Sequence, residues 1–373
     1  MSTCSKLAIA GVLAASGMLA QTRLDSRSSM NISLPEDSPL AVLAADWGGS
    51  SATPRGSAML LDLRTSLTLR NVGTKRVRGV TLLVMAQEVA PGGKASVSVP
   101  SIDVGPGEAF PVRLDLRLLR PQPNTDGPLV EISLDGVLFE DLSFYGANKL
   151  NSRRSMTQWE LEARRDRKYL KNLYETAGHE QLQQHLRDVQ ARLSERPKVD
   201  VQVARGRTTN QEARRNVSFA FLQMPDEPVR ASGSAFVAPG EAHSPQLQLE
   251  NRSNRPIRYL EVGWILANEQ GEEIYAGTLP ADVNLAPRES TRVRQEASLK
   301  LTQRNGRPMP ITGLSAFVSH VEFADGNVWI PQRAVIEETR LRKVLNPSPE
   351  EQRLSDLYRR KGLQAVIDEL RRF

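Results

Sequence analysis

The chain has 373 residues, a formal net charge of +6, 39% hydrophobic and 25% charged residues, and only 5% aromatic residues. That length accommodates two ordinary domains, and the composition is that of a globular chain with modest cores, which excludes a disordered tract or a bundle of membrane helices. The single cysteine, Cys4, stands so near the start that a chain processed after it has no disulfide, no thiolate nucleophile and no cysteine-held zinc or iron–sulfur centre.

Residues 1–20 differ in kind from the rest. Lys6 gives a short positive region, Leu7 to Leu13 an apolar one, and Ala14-Ala-Ser-Gly a small-residue stretch where a signal peptidase would cut. The reading is an export signal and a periplasmic or secreted protein. The alternative is an uncleaved segment that anchors the chain in the membrane, for which the apolar run is short of the ~20 residues a spanning helix needs. Residues 21–29 are polar and read as a flexible leader.

From residue 30 the chain is written twice. Leu67, Leu69, Asn71, Val77, Arg78, Val80 and Leu82 are answered by Leu247, Leu249, Asn251, Ile257, Arg258, Leu260 and Val262, each 180 positions on. Alternating apolar residues, a polar turn at Asn71-Val-Gly-Thr-Lys, and a long β-branched run predict two strands about a turn in each copy. Val77 is out of phase with Val80, and Ile257 with Leu260, which predicts a bulge at the same place in both copies. Further on, Pro106, Glu108, Val112 and Arg113 match Pro287, Glu289, Val293 and Arg294 at an offset of 181. Asp135-Gly136 and Asp325-Gly326 each read as a hairpin turn. Seven or eight strands per copy, at a spacing of about 8 to 12 residues, suit a β-sandwich.

The order Asn251-x-Ser253-x-x-Pro256-Ile257, a long apolar strand, the polar turn Glu269-Gln-Gly-Glu, and a Pro-x-Glu turn before another strand resembles the bacterial immunoglobulin-like sandwiches called FxLYD domains. The Leu-Tyr-Asp element of that name is replaced here by Ile265-Leu266-Ala267-Asn268. The resemblance implies a binding or spacing module outside the cytoplasm and brings no catalytic residues.

Each copy then closes with helices. Ser155-Met-Thr-Gln and Ser348-Pro-Glu-Glu both fit a capping box, with Pro349 at the first helical position. Leu173, Tyr174, Gly178 and Leu186 match Leu357, Tyr358, Gly362 and Leu370 at an offset of 184, and the glycine predicts a helix stop between two helices. The expected class is therefore mainly β with α, two tandem Ig-like β-sandwich domains each followed by a helical hairpin. The boundaries are 30–154 for the first sandwich, 155–196 for its hairpin, 197–215 for a linker whose Val199-Asp-Val-Gln-Val run could join a sheet edge, 216–347 for the second sandwich and 348–373 for its hairpin. Each hairpin is expected to pack on its own sandwich, because two short helices with one apolar stripe apiece are marginal in water.

Chemistry is sparse in the sequence. His179 and His185 are six apart on a helix, and His243 and His320 lack ligand-spaced neighbours, so no metal site and no cofactor are expected. Gly-x-Ser-x-Gly, phosphate-loop and dinucleotide motifs do not occur. Arg153, Arg154, Arg164, Arg165, Arg167, Lys168 and Lys171 crowd one helix, but Glu160, Glu162 and Asp166 interrupt them. A solvated face is the preferred reading; the other is a patch for an acidic protein or an anionic membrane surface, and the lack of interleaved aromatics argues against nucleic acid. The function expected is a non-enzymatic, exported binding or scaffold protein of the cell envelope whose partner is an envelope or extracellular protein. A membrane-anchored spacer or sensor ectodomain is the alternative, and a hydrolase with an unrecognised site comes third. The interaction residues expected are Arg164, Arg167, Lys168, Lys171, Leu173, Tyr174, Leu357 and Tyr358.

Overall fold

The computed structural model describes residues 22–23, 30–86, 92–121, 128–195, 199–205, 215–238, 240–303 and 306–373. The export signal, most of the leader and much of the linker lie outside them. The described chain is mainly β with α, and it divides into two compact units between Met156 and Thr157.

In the first unit the strands are β1 (Thr22–Arg23), β2 (Met30–Ser33), β3 (Leu40–Asp46), β4 (Ser51–Arg55), β5 (Ala58–Asn71), β6 (Val77–Met85), β7 (Lys94–Val99), β8 (Ala109–Pro121), β9 (Val130–Phe139) and β10 (Phe144–Tyr145). Period-two alternation decides the inner face: Leu61, Leu63, Leu67 and Leu69 of β5 and Val112, Leu114 and Leu118 of β8 are buried, while Arg113, Asp115 and Arg117 look outward. β5 and β8 pair antiparallel in one unbroken register from Ala58 opposite Pro121 to Arg70 opposite Ala109, and β3 and β4 line the other side of β5. The second sheet runs β10-β9-β6-β7, with β2 parallel on β9. Val80, Leu82, Val84 and Ile132 from this sheet and the leucines of β5 form a single core.

The strands of the second unit are β11 (Val199–Arg205), β12 (Arg215–Leu222), β13 (Val229–Ala238), β14 (Glu241–Asn251), β15 (Ile257–Ala267), β16 (Glu273–Leu285), β17 (Ser290–Arg294), β18 (Ala297–Gln303), β19 (Gly313–Phe323) and β20 (Val328–Trp329). Strand β12 is antiparallel to β13 at its start and parallel to β19 at its end, so it bridges the two halves of a ten-stranded sheet. The strand-like part of the linker does join an edge: β11 pairs along its whole length with β18.

Asn71 and Asn251 show what the repeated sequence is for. Both are fully buried. The Asn71 side-chain amide donates to the carbonyls of Lys75 and Val104, and that of Asn251 donates to the carbonyls of Arg255 and Leu285. Each side-chain oxygen accepts a backbone N–H two residues on, from Gly73 and Ser253. The asparagine thereby replaces missing ladder bonds at the turn, which is why it recurs. Glu108 and Glu289 form a second such pair, taking the N–H groups of Gly105 and Ala286. The bulges fall where the phase break put them, between Val77 and Gly79 and between Ile257 and Tyr259.

One hairpin is misplaced by the sequence reading. Asp325-Gly326 does turn between β19 and β20, with Phe323 N–H bonded to the Asn327 carbonyl at 2.9 Å. Asp135-Gly136, however, lies inside the continuous strand β9, where a register shift against β6 leaves Asp135 unpaired between Leu134 and Gly136. The turn comes at Asp141, where Phe139 N–H reaches the Ser143 carbonyl at 3.0 Å. Gly136 is there for close approach: a Cβ on it would lie 2.4 Å from the Phe144 ring. Buried Asp135 holds the following chain reversal through Lys149 N–H at 2.7 Å and the Ser152 hydroxyl at 2.6 Å.

Trp264 of β15 is 0% exposed and meets the Phe219 ring edge-on at 4.9 Å. Trp264→Ala should cost about 3–5 kcal/mol in a chemical-denaturation experiment on the second unit. The indole N–H has no acceptor among the described residues, so Trp264→Phe should cost clearly less than alanine does.

Candidate functional site

The helices are α1 (Ser152–Ser194), α2 (Arg333–Glu338), α3 (Leu341–Val344), α4 (Pro349–Lys361) and α5 (Leu363–Arg371). Inside α1, Gly178 has φ 83° and ψ −172°, and Gly362 between α4 and α5 has φ 81° and ψ 177°. That backbone region is open to glycine almost alone, so the repeated glycine makes the same corner in both copies. The second capping box is formed, with the Ser348 hydroxyl accepting Glu351 N–H and the Glu351 carboxylate accepting Ser348 N–H. The first is not: the helix starts at Ser152, which places Ser155 within it.

The partner of the helix pairs differs from the expectation that each packs on its own copy. Leu170, Leu182 and Leu186 of α1 share one core with Leu354 of α4 and Val366, Ile367 and Leu370 of α5. Leu170 and Leu354, Leu182 and Val366, and Leu186 and Leu370 are each 184 positions apart, so equivalent residues of the two copies meet. Two stripes of the same pattern and size cover each other, which is the cheapest way to bury both. In consequence the helix expected to close the first copy belongs, from Thr157 onward, to the second unit.

Around this core runs a chain of buried charges. Arg333, 6% exposed, donates to both oxygens of Glu351 at 2.9 and 2.6 Å and to Glu337 at 2.5 Å. His185 Nε2 lies 3.2 Å from the same Glu351 carboxylate. Asp166 accepts the Arg165 Nε–H at 2.8 Å and the Ser348 hydroxyl at 2.6 Å. Arg167 bonds Glu160 at 3.0 Å and pairs with Glu350 at 3.3 Å, while Arg353 joins Glu350 to Glu369. The network therefore ties α1, α2, α4 and α5 together. His185, Glu337 and Glu351 are close enough to ligate a cation, their ligand atoms lying within 4.8 Å of one another. The Arg333 guanidinium already supplies positive charge to both carboxylates there, which makes the group an ion-pair centre.

A second polar cluster lies between α1 and the sheet. Gln158 bridges Glu162, at 3.1 Å, and His320 Nδ1, at 2.9 Å, while the Tyr259 hydroxyl donates to Glu261 at 2.6 Å. Burial pushes the Glu162 carboxyl above its ordinary range.

Of the residues singled out in the sequence, Arg164 and Lys168 are exposed, and Arg164 is paired with Glu160 at 2.9 Å. Arg167 corrects the solvated-face reading: it is buried, with its guanidinium 4.2 Å from the Phe373 ring centre. Lys171 is half-buried, and Leu173, Tyr174, Leu357 and Tyr358 are half-buried on the shared helical core, where the Tyr358 hydroxyl accepts from Gln183 at 2.8 Å. Arg333, Asp166, His185 and Glu351 were not foreseen. Their only signal was the Ser348-Pro-Glu-Glu cap, which accounts for Glu351 by itself.

Glu351 gives the network a pH signature. Burial alone would raise its pKa, but the bond to His185, the Arg333 charge and Ser348 N–H outweigh it and hold the carboxyl at about 2, below its ordinary 4.5. A depressed acid contributes stability that is complete above the unfolded pKa and lost as pH falls toward the folded one. The second unit should therefore weaken between about pH 4.5 and 2, and Glu351→Gln should flatten that slope in denaturant titrations across the range.

No protein-family model matches the chain, and no curated protein matches it significantly. Among solved structures it is similar to Northeast Structural Genomics Consortium target SoR45, at 10% identity and a TM-score of 0.18 over 36% of this chain and 80% of that one. Red sea bream transglutaminase follows at 9% identity and 0.13, over 79% of this chain and 32% of that one. The C-terminal globular domain of an oligosaccharyltransferase from Pyrococcus abyssi is at 9% and 0.15, over 79% and 48%. Similarities this slight carry no information about fold or activity. Among the described residues, no helix is long and apolar enough to cross a membrane.

Proposed function

We propose that the chain is an exported, non-enzymatic scaffold of the cell envelope, built from two immunoglobulin-like β-sandwich repeats with associated helices, which binds another envelope or extracellular protein. The observation that carries this reading is the engagement of the reactive side chains with one another. Asp166, His185, Glu350 and Glu351, the groups that acid–base or metal chemistry would draw on, bond Ser348, Arg167 and Arg333 between helices, and their role is to fix the helices in place. The repeated asparagines and glutamates likewise serve turns. What the chain offers outward is sheet surface and the half-buried Leu173, Tyr174, Leu357 and Tyr358.

The test is expression with the native N-terminus in a Gram-negative host, followed by fractionation, intact mass and cross-linking to envelope extract. A soluble periplasmic chain beginning near residues 18 to 21, cross-linked in fixed stoichiometry to one envelope protein, is expected. A chain that keeps Met1 in the cytosol or the membrane pellet, or one that is monomeric and cross-links to nothing, overturns the reading.

A further inference from the structure

The outer face of β12, β13, β14 and β17 carries a hollow that the fold does not require. Ser218 lies opposite Ser234, Ser234 opposite Gln246, and Gln246 opposite Arg294. One row along, Ser232 lies opposite Gln248, and Gln248 opposite Arg292. Paired positions share a face, so both rows stand on the side away from buried Leu247 and Leu249. Short serines on two strands beside longer glutamines and arginines on the next two leave an open trough of about 780 Å³. Beneath it Gly233 lets the chain pass close over the Phe219 ring, 2.5 Å from where a Cβ would stand.

The trough is cationic. Arg292 Nε donates to the Gln248 side-chain oxygen at 2.9 Å, and neither Arg292 nor Arg294 is ion-paired with a described residue. The two rows hold no acid, and the row beyond adds Arg230 and Glu250, which offset each other. The first copy serves as an internal control, because its equivalent strands have the same register. There the matching rows are Asp46, Ser66 and Arg113, and Ala44, Thr68 and Pro111. Its neighbouring Asp62 neutralises Arg64 at 3.3 Å and faces Arg117 at 3.9 Å. One architecture thus tolerates mixed charge on this face, and only the second copy has gathered arginines, serines and glutamines there.

We infer that this face binds an acidic oligosaccharide, a chain of hydroxyl-rich sugars bearing carboxylates. Guanidinium groups take carboxylates in two-pronged bonds, and Arg292 and Arg294 are spaced about 6.7 Å along one strand. Serine hydroxyls and glutamine amides both donate and accept, as sugar hydroxyls demand. A protein partner would be anchored by an aromatic or apolar side chain at the centre of its footprint, and this face presents none, since Phe219 is turned into the core. The inference goes beyond the protein-binding reading above and fails separately from it.

The test is calorimetric titration of the full chain with a galacturonate hexamer, with maltohexaose as the neutral control and hexaglutamate as the acidic peptide. The galacturonate hexamer should bind, weaken as salt is raised, and exceed maltohexaose by about tenfold or more. Arg292→Gln with Arg294→Gln should lower that affinity by about tenfold or more at an unchanged melting temperature, and Arg113→Gln should leave it alone. Absence of galacturonate binding, equal binding of the neutral hexamer, or insensitivity to the Arg292 and Arg294 changes overturns the proposal. Hexaglutamate binding as tightly as the uronate overturns it too, and assigns the face to an acidic protein.

Discussion

Arg333→Met is expected to destabilise the second unit by about 3–5 kcal/mol, the range for removing one partner from a buried ion pair. The guanidinium is the shared cation of Glu351 and Glu337, with Asp166 4.0 Å away, and Glu351 is only 1% exposed. Deleting the guanidinium takes two close charge-assisted bonds from the buried Glu351 carboxylate and leaves it the longer contacts to His185 at 3.2 Å and Arg192 at 3.7 Å. Most of the loss therefore comes from under-compensated charge on Glu351, while Glu337 keeps Arg342 at 3.1 Å and Asp166 keeps Arg165 at 2.8 Å. A surface pair gives the contrast: Arg359 and Asp356 have side chains 66% and 48% exposed, and Arg359→Met should move stability by less than about 1 kcal/mol. Removing both partners in Arg333→Met with Glu351→Leu should restore part of the loss. It should not restore all, because Glu351 also caps Ser348 and bonds His185. Denaturant midpoints of the four proteins decide the matter, and equal effects of Arg333→Met and Arg359→Met would mean that the network is wet and loose.

How far the sequence could be read depends on whether a signal is local. Asn71 and Asn251 were legible because an asparagine bonds its own turn, and the bulges were legible because a phase break is visible within four residues. Asp325-Gly326 and Asp135-Gly136 look alike as dipeptides. What distinguishes a bulged but continuous strand from a turn is the Phe144 ring beside Gly136, and that contact is not encoded in the pair. The helical stripes were legible as stripes, but periodicity says which face is apolar and not what covers it. Charges were hardest to read. Glu160 and Arg164 satisfy each other one helical turn apart, which made the whole run look solvated, whereas the further partner of Arg167 is Glu350, 183 positions along the chain. The matched leucines 184 apart did hold the answer in one sense: two copies of an identical stripe are already complementary in length and pattern.

That complementarity sets the largest effect to be expected, from deletion of residues 348–373. The deletion takes away Leu354, Val366, Ile367 and Leu370, each contributing about 1.5–3 kcal/mol by burial, and uncovers Leu170, Leu182 and Leu186. It also removes Glu350 and Glu351, leaving Arg167, His185 and Arg333 beside vacated partners. Those losses together match the whole stability of an ordinary domain, about 5–15 kcal/mol, so residues 157–194 should not remain folded helix in the truncated chain. Circular dichroism should then show more helix lost than the deleted residues account for. Limited proteolysis should cut between 160 and 194 while fragments from 30–140 stay protected, and an apolar dye should bind the exposed leucines. Gly362→Ala tests the same clasp without removing any contact. At φ 81° and ψ 177° an alanine is strained by about 1–3 kcal/mol although its Cβ meets nothing within 4 Å, so the variant should open the α4–α5 corner and show a milder form of the same proteolysis pattern. A truncated chain that keeps its melting temperature and its protection across 157–194 would show that α1 needs no partner, and would return the Leu173, Tyr174, Leu357 and Tyr358 surface to the role of a free interaction arm.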